Sequence, residues 1–235
     1  MMHVFFSDVH GNLDALQAGL RHMDECYPVN LKYCLGDIVG YGPKPVECLR
    51  LVLKECGNRI VVGNHDRAAL FSPNERWNDR ASQAILIHRG LIEQEPDSFD
   101  LWNMIAYLPR FFRTGKFSGV HCSPLPEPDY YVHPANLARD EERPRFRQMG
   151  MSFDGLCFVG HSHIPLVIRY PKDSIDNFGF LNYDSIQDGS RVAVENNAKY
   201  LVNVGSLGQP RDGDDRPCYV VYDDVAERLI YRRVS

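Results

Sequence analysis

The sequence has no excess of positive charge, and this absence narrows the classes of partner. Lys and Arg number 26 against 31 Asp and Glu, so the formal net charge is −5 and the isoelectric point is about 6.0. Affinity for nucleic acid depends on phosphate contacts from Lys and Arg. The composition therefore argues against a nucleic acid as the partner and leaves room only for a local basic patch.

Long apolar runs and paired cysteines are also missing. No stretch approaches the roughly 20 apolar residues that span a bilayer, and strand-like sequence begins at His3, which leaves no room for a leader peptide. We therefore expect a cytoplasmic protein without membrane contact. The seven cysteines form no C-x-x-C pair, and we expect them to pack as small apolar side chains. Only Cys122, beside His121, could touch a metal site.

The pattern of apolar residues predicts alternating strands and helices over the first two-thirds of the chain. Helices are expected over about Leu13–Met23, Pro45–Glu55, Asn78–Leu91 and Ser98–Tyr107. Beyond Val159 the pattern changes to short strand-like runs separated by turns, which favours an antiparallel C-terminal half. Because there is no linker, repeat or low-complexity tract, residues 1–235 are expected to form one domain with two sheets.

Two polar stretches interrupt these elements. Pro124–Gln148 is predicted to begin as a loop and continue as a helix broken near Pro144, and Pro171–Gly189 is predicted to be a hairpin with a long tip. Within the first stretch, the arginines of Arg139–Arg147 could steer an anion, although the neighbouring acids favour a solvated, salt-bridged face.

Groups of polar residues follow five of the apolar runs. They are Asp8-Val9-His10, Gly36-Asp37, Gly63-Asn64-His65-Asp66, His121, and Gly160-His161-Ser162-His163. A parallel sheet brings the carboxyl ends of its strands to one edge, so these groups are expected to meet in one pocket. In each Asp-x-His or His-x-His pair, strand alternation would point both side chains the same way.

Apart from His65 and Asp66, the groups supply two carboxylates, one amide oxygen and several imidazoles, and with His65 they contain five of the nine histidines. This is a set of ligands for two divalent metals. Two such cations outweigh the two carboxylates, so the site would attract an anion despite the acidic chain. Ligation rich in imidazole favours Mn, Fe, Co, Ni or Zn over Mg or Ca.

In this order, the motifs D-x-H, G-D, G-N-H-D, a single H and G-H-x-H resemble the calcineurin-like metallophosphoesterase superfamily. Gly36–Pro43 and Asn203–Asp214 are similar to a group of small prokaryotic phosphoesterases within it. The ligand motifs span Asp8 to His163. The resemblance implies an α/β (α+β) fold, a four-layer αββα sandwich in which two mixed β-sheets are flanked by helices.

The resemblance also implies two coordination shells that share Asp37. One metal would bind Asp8, His10, Asp37 and His163, and the other would bind Asp37, Asn64, His121 and His161. His65 would not be a ligand; it would protonate the leaving oxygen or stabilise the phosphoryl charge, and Asp66 would orient it. Asn64 and His65 would also contact the substrate.

Two further residues and one loop have two interpretations each. Asn12 either caps the following helix, the favoured role, or lies near the metals. Tyr41 either stacks on a substrate ring or packs in the core. The glycine-rich loop Gly205–Arg211 either brings Arg211 or backbone N–H groups to a substrate phosphate or is a plain turn. His133 could reach the pocket from its loop.

These observations predict a metal-dependent phosphoesterase in which two metals activate the attacking water and clamp the phosphate. A phosphodiesterase acting on small substrates is expected first, because the chain is acidic and has no obvious cap domain. A phosphomonoesterase or a dinucleoside polyphosphate hydrolase is the alternative, and a non-catalytic metal-binding scaffold is the rival from another class. The oligomeric state is left open.

Overall fold

Seven α-helices and eleven β-strands lie in the described residues of the computed structural model, which are 1–28, 30–73, 77–126, 130–181 and 183–235. The helices are α1 Leu13–Cys26, α2 Pro45–Cys56, α3 Asn64–Phe71, α4 Asp79–Glu93, α5 Ser98–Tyr107, α6 Pro134–Leu137 and α7 Arg143–Met151. The strands are β1 Met2–Phe6, β2 Asn30–Cys34, β3 Phe111–Arg113, β4 Phe117–Val120, β5 Leu156–Val159, β6 Leu166–Pro171, β7 Gly179–Leu181, β8 Arg191–Ala193, β9 Ala198–Asn203, β10 Cys218–Asp223 and β11 Arg228–Arg233.

The strands form two mixed sheets. Sheet A has the order β2-β1-β10-β11-β8, and sheet B has the order β3-β4-β5-β9-β6-β7. In sheet A the pair β1–β2 is parallel and the other pairs are antiparallel. In sheet B the pairs β4–β5 and β5–β9 are parallel. Each sheet therefore has a parallel part whose strands end at a common edge.

Side-chain alternation along the buried strands divides the interior into three apolar layers. In β1, Phe5 faces the space between the sheets, whereas Val4 and Phe6 face helices α1 to α5. In β5, Phe158 faces the same inter-sheet layer, and its ring stacks on that of Phe5 with centroids 3.6 Å apart. Cys157 faces the opposite layer, next to α6 and α7. These layers confirm the predicted αββα sandwich.

The prediction of an antiparallel C-terminal half is wrong in one respect. Strand β9 pairs in parallel with β5, and the strands after Val159 divide between the two sheets. Strands β9 and β10 are buried on both faces along almost their whole length, so their sequences lack the alternation that separates antiparallel from parallel strands. An antiparallel hairpin of β6 and β7 is present, but it begins before the predicted stretch Pro171–Gly189, because residues 167–169 of β6 make the pairs and only β7 lies inside the stretch; Asn182 lies outside the described residues.

The predicted helices agree with α1, α2, α4 and α5, but α3 was not predicted. The apolar run before Asn64 forms no strand: it makes a single bridge, between Ile60 and Cys34, and α3 begins directly afterwards at Asn64. Pro144 does not break a helix: it stands in the first turn of α7, where a missing N–H is harmless.

No helix in the described part of the chain combines the length and apolarity of a membrane span.

Candidate active site

The polar groups meet where the parallel strands of both sheets end. Asp8 follows β1, Asp37 follows β2, His121 follows β4 and His161 follows β5. Asn64 is the first residue of α3, which begins after the bridge at Ile60. The predicted meeting of these groups at one edge is therefore confirmed.

The loops that carry the candidate metal ligands have an uncommon backbone conformation. Asp8, His10, Asp37, His161 and His163 have φ angles of 56°, 51°, 53°, 65° and 60°. This left-handed region is uncommon for residues other than glycine and is often found at functional sites. The strands end before these residues, so left-handed turns, rather than strand alternation as predicted, bring each pair of side chains together.

The first cluster contains Asp8, His10 and His163. Nε2 of His163 lies 3.2 Å from Asp8 Oδ1 and 3.2 Å from His10 Nε2. Nε2 of His10 is 3.9 Å from Asp8 Oδ1. All three side chains are at least 98% buried. Three donor atoms thus surround one point, as a metal requires.

The second cluster contains Asn64, His121 and His161. Nε2 of His121 lies 3.0 Å from Asn64 Oδ1, and the rings of His121 and His161 have centroids 5.2 Å apart. Potential donor atoms of His121, His161 and Cys122 all lie within 4.8 Å of one another. The thiol of Cys122 is thus close enough to be considered a further ligand.

Asp37 lies between the two clusters. Its Oδ2 is 3.8 Å from His10 Nε2 and 3.2 Å from His121 Nε2, and its Oδ1 accepts the backbone N–H of His65 at 2.8 Å. One carboxylate therefore reaches the imidazoles of both clusters, which is the position of a bridging ligand.

The imidazoles are fixed in the orientation that metal ligands have. Nδ1 of His10, His121 and His163 lies 3.0, 2.7 and 2.5 Å from the carbonyl oxygens of Val39, Leu35 and Gln209, respectively. If Nδ1 donates its proton to that carbonyl, the Nε2 lone pair points into the site. Asp8 Oδ1 and His161 Nε2 are buried without a hydrogen-bond partner among the described residues. Buried atoms of this kind are costly unless an ion or water satisfies them, so the site fits a metal.

The electrostatics agree with metal ligation. Burial lowers the pKa of His161 to about 3 and that of His10 well below its usual value, so both rings are neutral at pH 7. Although burial alone would raise the pKa of Asp37, His121 and His65 hold it well below its usual value. The site therefore contains an ionised carboxylate beside the neutral rings of His10 and His161. Although burial alone would lower the pKa of His121, Asp37 raises it to about 10, so a metal would have to displace a proton from that ring.

His65 borders the first cluster. Its ring contacts those of His10 and Trp77, with centroids 4.7 and 4.5 Å away, and its Nδ1 is buried with no hydrogen-bond partner in the described ranges. Burial lowers the pKa of His65. Donor atoms of His65, His10 and Asp37 lie within 4.8 Å of one another, so the proximity of His65 is compatible with either catalysis or ligation, and its separation from the ligands stays a prediction.

Asp66 has a different position from the one predicted. Its Oδ1 accepts the N–H groups of Ile38 and Val39 at 2.9 and 3.2 Å, and its Oδ2 accepts those of Asp37 and Gly63 at 2.9 and 3.0 Å. These bonds hold the loop that carries Asp37, so the carboxylate is not available to orient His65. The adjacency of Asp66 to His65 in sequence suggested a contact that the start of α3 does not produce, because neighbouring helical side chains point in different directions.

Two glycines let the backbone approach the carboxylates. A Cβ atom at Gly63 would lie 2.1 Å from Asp37 Oδ1, and one at Gly160 would lie 2.7 Å from Asp8 Oδ2. Neither distance is compatible with a side chain. Glycine at these two positions is therefore required by the close packing of the ligands.

The loop Gly205–Arg211 supports the ligands more than it faces the substrate. The N–H groups of Leu207 and Gly208 donate to the carbonyl oxygens of Ser7 and Asp8 at 2.9 Å each.

Arg211 is exposed, bonds to Gln209 at 2.7 Å and lies over the Tyr41 ring, 5.8 Å from its centroid. The Tyr41 ring in turn contacts His10 and His65. Arg211 is thus placed at the rim, and its contact with substrate stays a prediction.

Three residues near the site have roles that sequence reasoning did not assign. His88 is buried, accepts the Gly40 N–H at 2.9 Å and contacts the Gly42 carbonyl at 2.7 Å. It thereby clamps the loop after Asp37. Tyr131 covers His161, with ring centroids 3.8 Å apart, and Trp77 covers His65. Each comes from an element distant in sequence, so no local pattern could have revealed it.

The remaining candidates lie elsewhere or have structural contacts. Asn12 caps α1 by accepting the Ala15 N–H at 3.2 Å, as favoured, and also donates to the Gly208 carbonyl. His133 caps α6. Arg147 pairs with Asp176 at 2.7 Å, which agrees with a salt-bridged face for the Arg139–Arg147 segment.

Comparisons with known proteins agree with this geometry. The family model described as calcineurin-like phosphoesterase matches residues 1–165. An uncharacterised protein of Methanocaldococcus jannaschii is 32% identical over 100% of this chain and 87% of its own length. A solved metallophosphoesterase from Sphaerobacter thermophilus is 33% identical, with a TM-score of 0.78 over 100% of this chain and 89% of its own.

A further relative matches a shorter part of the chain. A protein of Psychromonas ingrahamii named symmetrical bis(5'-nucleosyl)-tetraphosphatase is 34% identical over 48% of this chain and 40% of its own length. The predicted resemblance and fold class are confirmed by the longer matches. The chain belongs to the calcineurin-like phosphoesterase family and is a metal-dependent hydrolase of phosphoester bonds.

Proposed function

We propose that the chain is a phosphodiesterase with a dinuclear centre that acts on small substrates. Asp37 bridges the two metals in this proposal. The first metal is bound by Asp8, His10, Asp37 and His163, and the second by Asp37, Asn64, His121 and His161.

One observation carries this proposal: donor atoms from two clusters converge on a single carboxylate. Asp37 Oδ2 lies 3.8 Å from Nε2 of His10 on one side and 3.2 Å from Nε2 of His121 on the other. Both rings have Nδ1 against a backbone carbonyl, which directs Nε2 toward Asp37. A purely structural ion pair at Asp37 would not need two imidazoles. It would also not explain why Asp8 Oδ1 and His161 Nε2 are buried without a hydrogen-bond partner among the described residues.

In this proposal the residues around the metals have different roles in the hydrolysis. Two divalent metals would neutralise phosphoryl charge and make a water acidic enough to attack at neutral pH. Asp66 and His88 hold the loop of Asp37, and the loop Gly205–Arg211 holds Asp8 and His163. His65 donates a hydrogen bond or a proton to the phosphoryl or leaving oxygen, and Asn64 contacts the substrate from the start of α3.

A second candidate substrate is a dinucleoside polyphosphate. It is favoured by the name of the Psychromonas ingrahamii relative, which matches less than half of this chain. In both candidates the substrate is small, which suits a chain of net charge −5, because such a chain would repel a long polyanion. A phosphomonoesterase is the remaining enzymatic alternative, and a cytoplasmic location stays a prediction from the sequence.

The decisive experiment is a substrate panel with defined metals. Metal-stripped protein is reconstituted with Mn, Fe, Co, Ni or Zn, and metal content is measured by mass spectrometry. Each form is assayed with p-nitrophenyl phosphate, methyl p-nitrophenyl phosphate, a cyclic nucleotide and diadenosine tetraphosphate. We expect about two metals per chain, because each cluster offers one binding point, and faster turnover of the diesters or the dinucleotide than of the monoester.

Two controls make this result interpretable. The double variant Asp8→Asn, Asp37→Asn, purified in parallel, reveals any contaminating phosphatase, because its own turnover should disappear. If no metal supports turnover of any substrate while two ions still bind, the scaffold reading is correct and the proposed activity is wrong.

A further inference from the structure

A cavity of about 450 Å³ adjoins the metal centre on the side of Asn64 and His121. This volume lies within the range of roughly 300–1,000 Å³ that is usual for small-molecule sites. The two ligands form only one of its walls. Other lining residues, among them Arg110, Phe111 and Arg113 in and beside β3, are not candidate ligands.

Two elements bring cationic side chains to this cavity. Asn64 and Arg67 are separated by nearly one turn of α3, so they lie on the same side of the helix, and both line the cavity. In β3, Phe111 pairs with Val120 and Arg113 pairs with Ser118 on β4. All four of these strand residues line the cavity, because residues that face each other across strands share one face of the sheet.

Arg110 completes a group of three arginines with Arg67 and Arg113. Within the described ranges, none of the three forms an ion pair, whereas Arg216, Arg232 and Arg233 in the C-terminal region are paired with aspartates. Guanidinium groups bind phosphate oxygens strongly and with defined geometry. In an acidic chain, three arginines without carboxylate partners around one cavity indicate an anionic ligand.

Part of the remaining wall of the cavity is apolar. It includes Phe111, Leu125 and Phe153, and Phe111 is 65% exposed although it is a large aromatic residue. An exposed aromatic ring beside cationic groups provides a surface on which a nucleic-acid base can stack. Inorganic phosphate or polyphosphate would have no use for this wall.

We propose that this cavity binds the part of the substrate that extends beyond the cleaved phosphate, and that this part is a nucleoside phosphate. Its phosphates contact Arg67, Arg110 and Arg113, and its base lies against Phe111. The position of the cleaved phosphate near Asn64 and His121 rests on the proposed function. The cavity would thus select nucleotide substrates, while the metal centre performs the hydrolysis.

The first test compares two substrates in one set of variants. The triple variant Arg67→Gln, Arg110→Gln, Arg113→Gln is assayed with diadenosine tetraphosphate and with methyl p-nitrophenyl phosphate, which has no nucleoside. We expect kcat/KM for the dinucleotide to fall about 100-fold, because charge-assisted hydrogen bonds are lost, and kcat/KM for the small ester to change less than about threefold. The matched control is Arg21→Gln, Arg80→Gln, Arg191→Gln, which removes the same charge at exposed positions outside the cavity.

A second test measures binding without catalysis. ADP and pyrophosphate are titrated into metal-free protein by calorimetry. We expect Phe111→Ala to weaken ADP binding about tenfold by removing base stacking and to leave pyrophosphate binding unchanged, whereas the triple arginine variant should weaken both.

The outcomes separate the two proposals. If wild type hydrolyses both substrates and the triple variant loses both equally, or behaves like its control, the cavity proposal is overturned and the proposed function stands. If wild type hydrolyses neither substrate but metal-free protein binds ADP in a manner that depends on Arg67 and Phe111, the proposed function fails and the nucleotide site remains. Absence of ADP binding to metal-free wild type would also overturn the cavity proposal.

Discussion

The metal centre and the arginine cavity are neighbours with opposite construction. In the candidate metal centre the aspartate and histidine side chains are buried, and three of the imidazoles are held by backbone carbonyls. In the cavity, Arg110 and Arg113 are exposed and the three guanidinium groups have no ion-pair partner in the described part of the chain. A rigid centre suits chemistry that is the same for every substrate, whereas adaptable side chains suit recognition of a particular one.

The largest effect on this comparison is expected from the loss of Asp37, the carboxylate that both metals would share. Asp37→Ala should deplete both metals, because the carboxylate reaches both clusters, and turnover of every substrate should fall by about 10³-fold or more. Metal content per chain and kcat are the measurements, with the exposed Asp173→Ala as the control. Retention of one metal at full occupancy would show that Asp37 does not bridge.

The next largest effect is expected at His65. His65→Ala should lower kcat about 10²–10⁴-fold, as for loss of a general acid, while metal content stays near that of wild type. His133→Ala, a histidine that caps α6, is the matched control. If metal is lost together with activity, His65 is a ligand, as its distance to His10 and Asp37 also permits.

A variant of Asp66 distinguishes a role in holding the metal site from a role in orienting His65. Asp66→Asn puts an amide donor where backbone N–H groups need an acceptor, so the loop of Asp37 should loosen and metal affinity should weaken about 10–100-fold. Excess metal should restore much of the activity. A variant that binds metal like wild type but copies the kcat loss of His65→Ala would instead support the original expectation that Asp66 orients His65.

The smallest effect is expected at the rim. Arg211→Ala removes an exposed side chain that already bonds to Gln209, so we expect KM to rise no more than about threefold and kcat to stay constant. Steady-state kinetics with diadenosine tetraphosphate give both values, and Arg67→Gln provides the comparison inside the cavity. A larger loss at Arg211 than at Arg67 would move substrate recognition from the cavity to the rim.

The two regions also differ in how far the sequence predicts them. The ligands could be assembled from one sequence because each follows an apolar run and carries a side chain with distinctive chemistry. The cavity could not, since Arg67, Arg110 and Arg113 are ordinary surface residues until α3 and β3 place them together. Neither of those elements was predicted: α3 is short, and β3 has three residues.

The fold shows the same division. Helices such as α5, whose predicted limits agree with the structure, have local start and stop signals. The pairing of β9 with β5 depends on contacts between segments far apart in sequence, and the role of His88 in α4 depends on its contacts with the loop between β2 and α2. Local patterns report local structure, and partners chosen by the tertiary fold leave no comparable signal.

The left-handed backbone at the ligands has a consequence for the history of such sites. Asp, Asn and His tolerate this conformation better than other residues with side chains, and they are also residues that bind metals. Backbone geometry and coordination chemistry therefore favour the same few residue types at five positions, which are Asp8, His10, Asp37, His161 and His163. A descendant that stopped binding metal would still need these residue types, or glycine, at its left-handed turns. The motif could then persist after the activity was lost, so its presence in a relative indicates the fold more directly than it indicates catalysis.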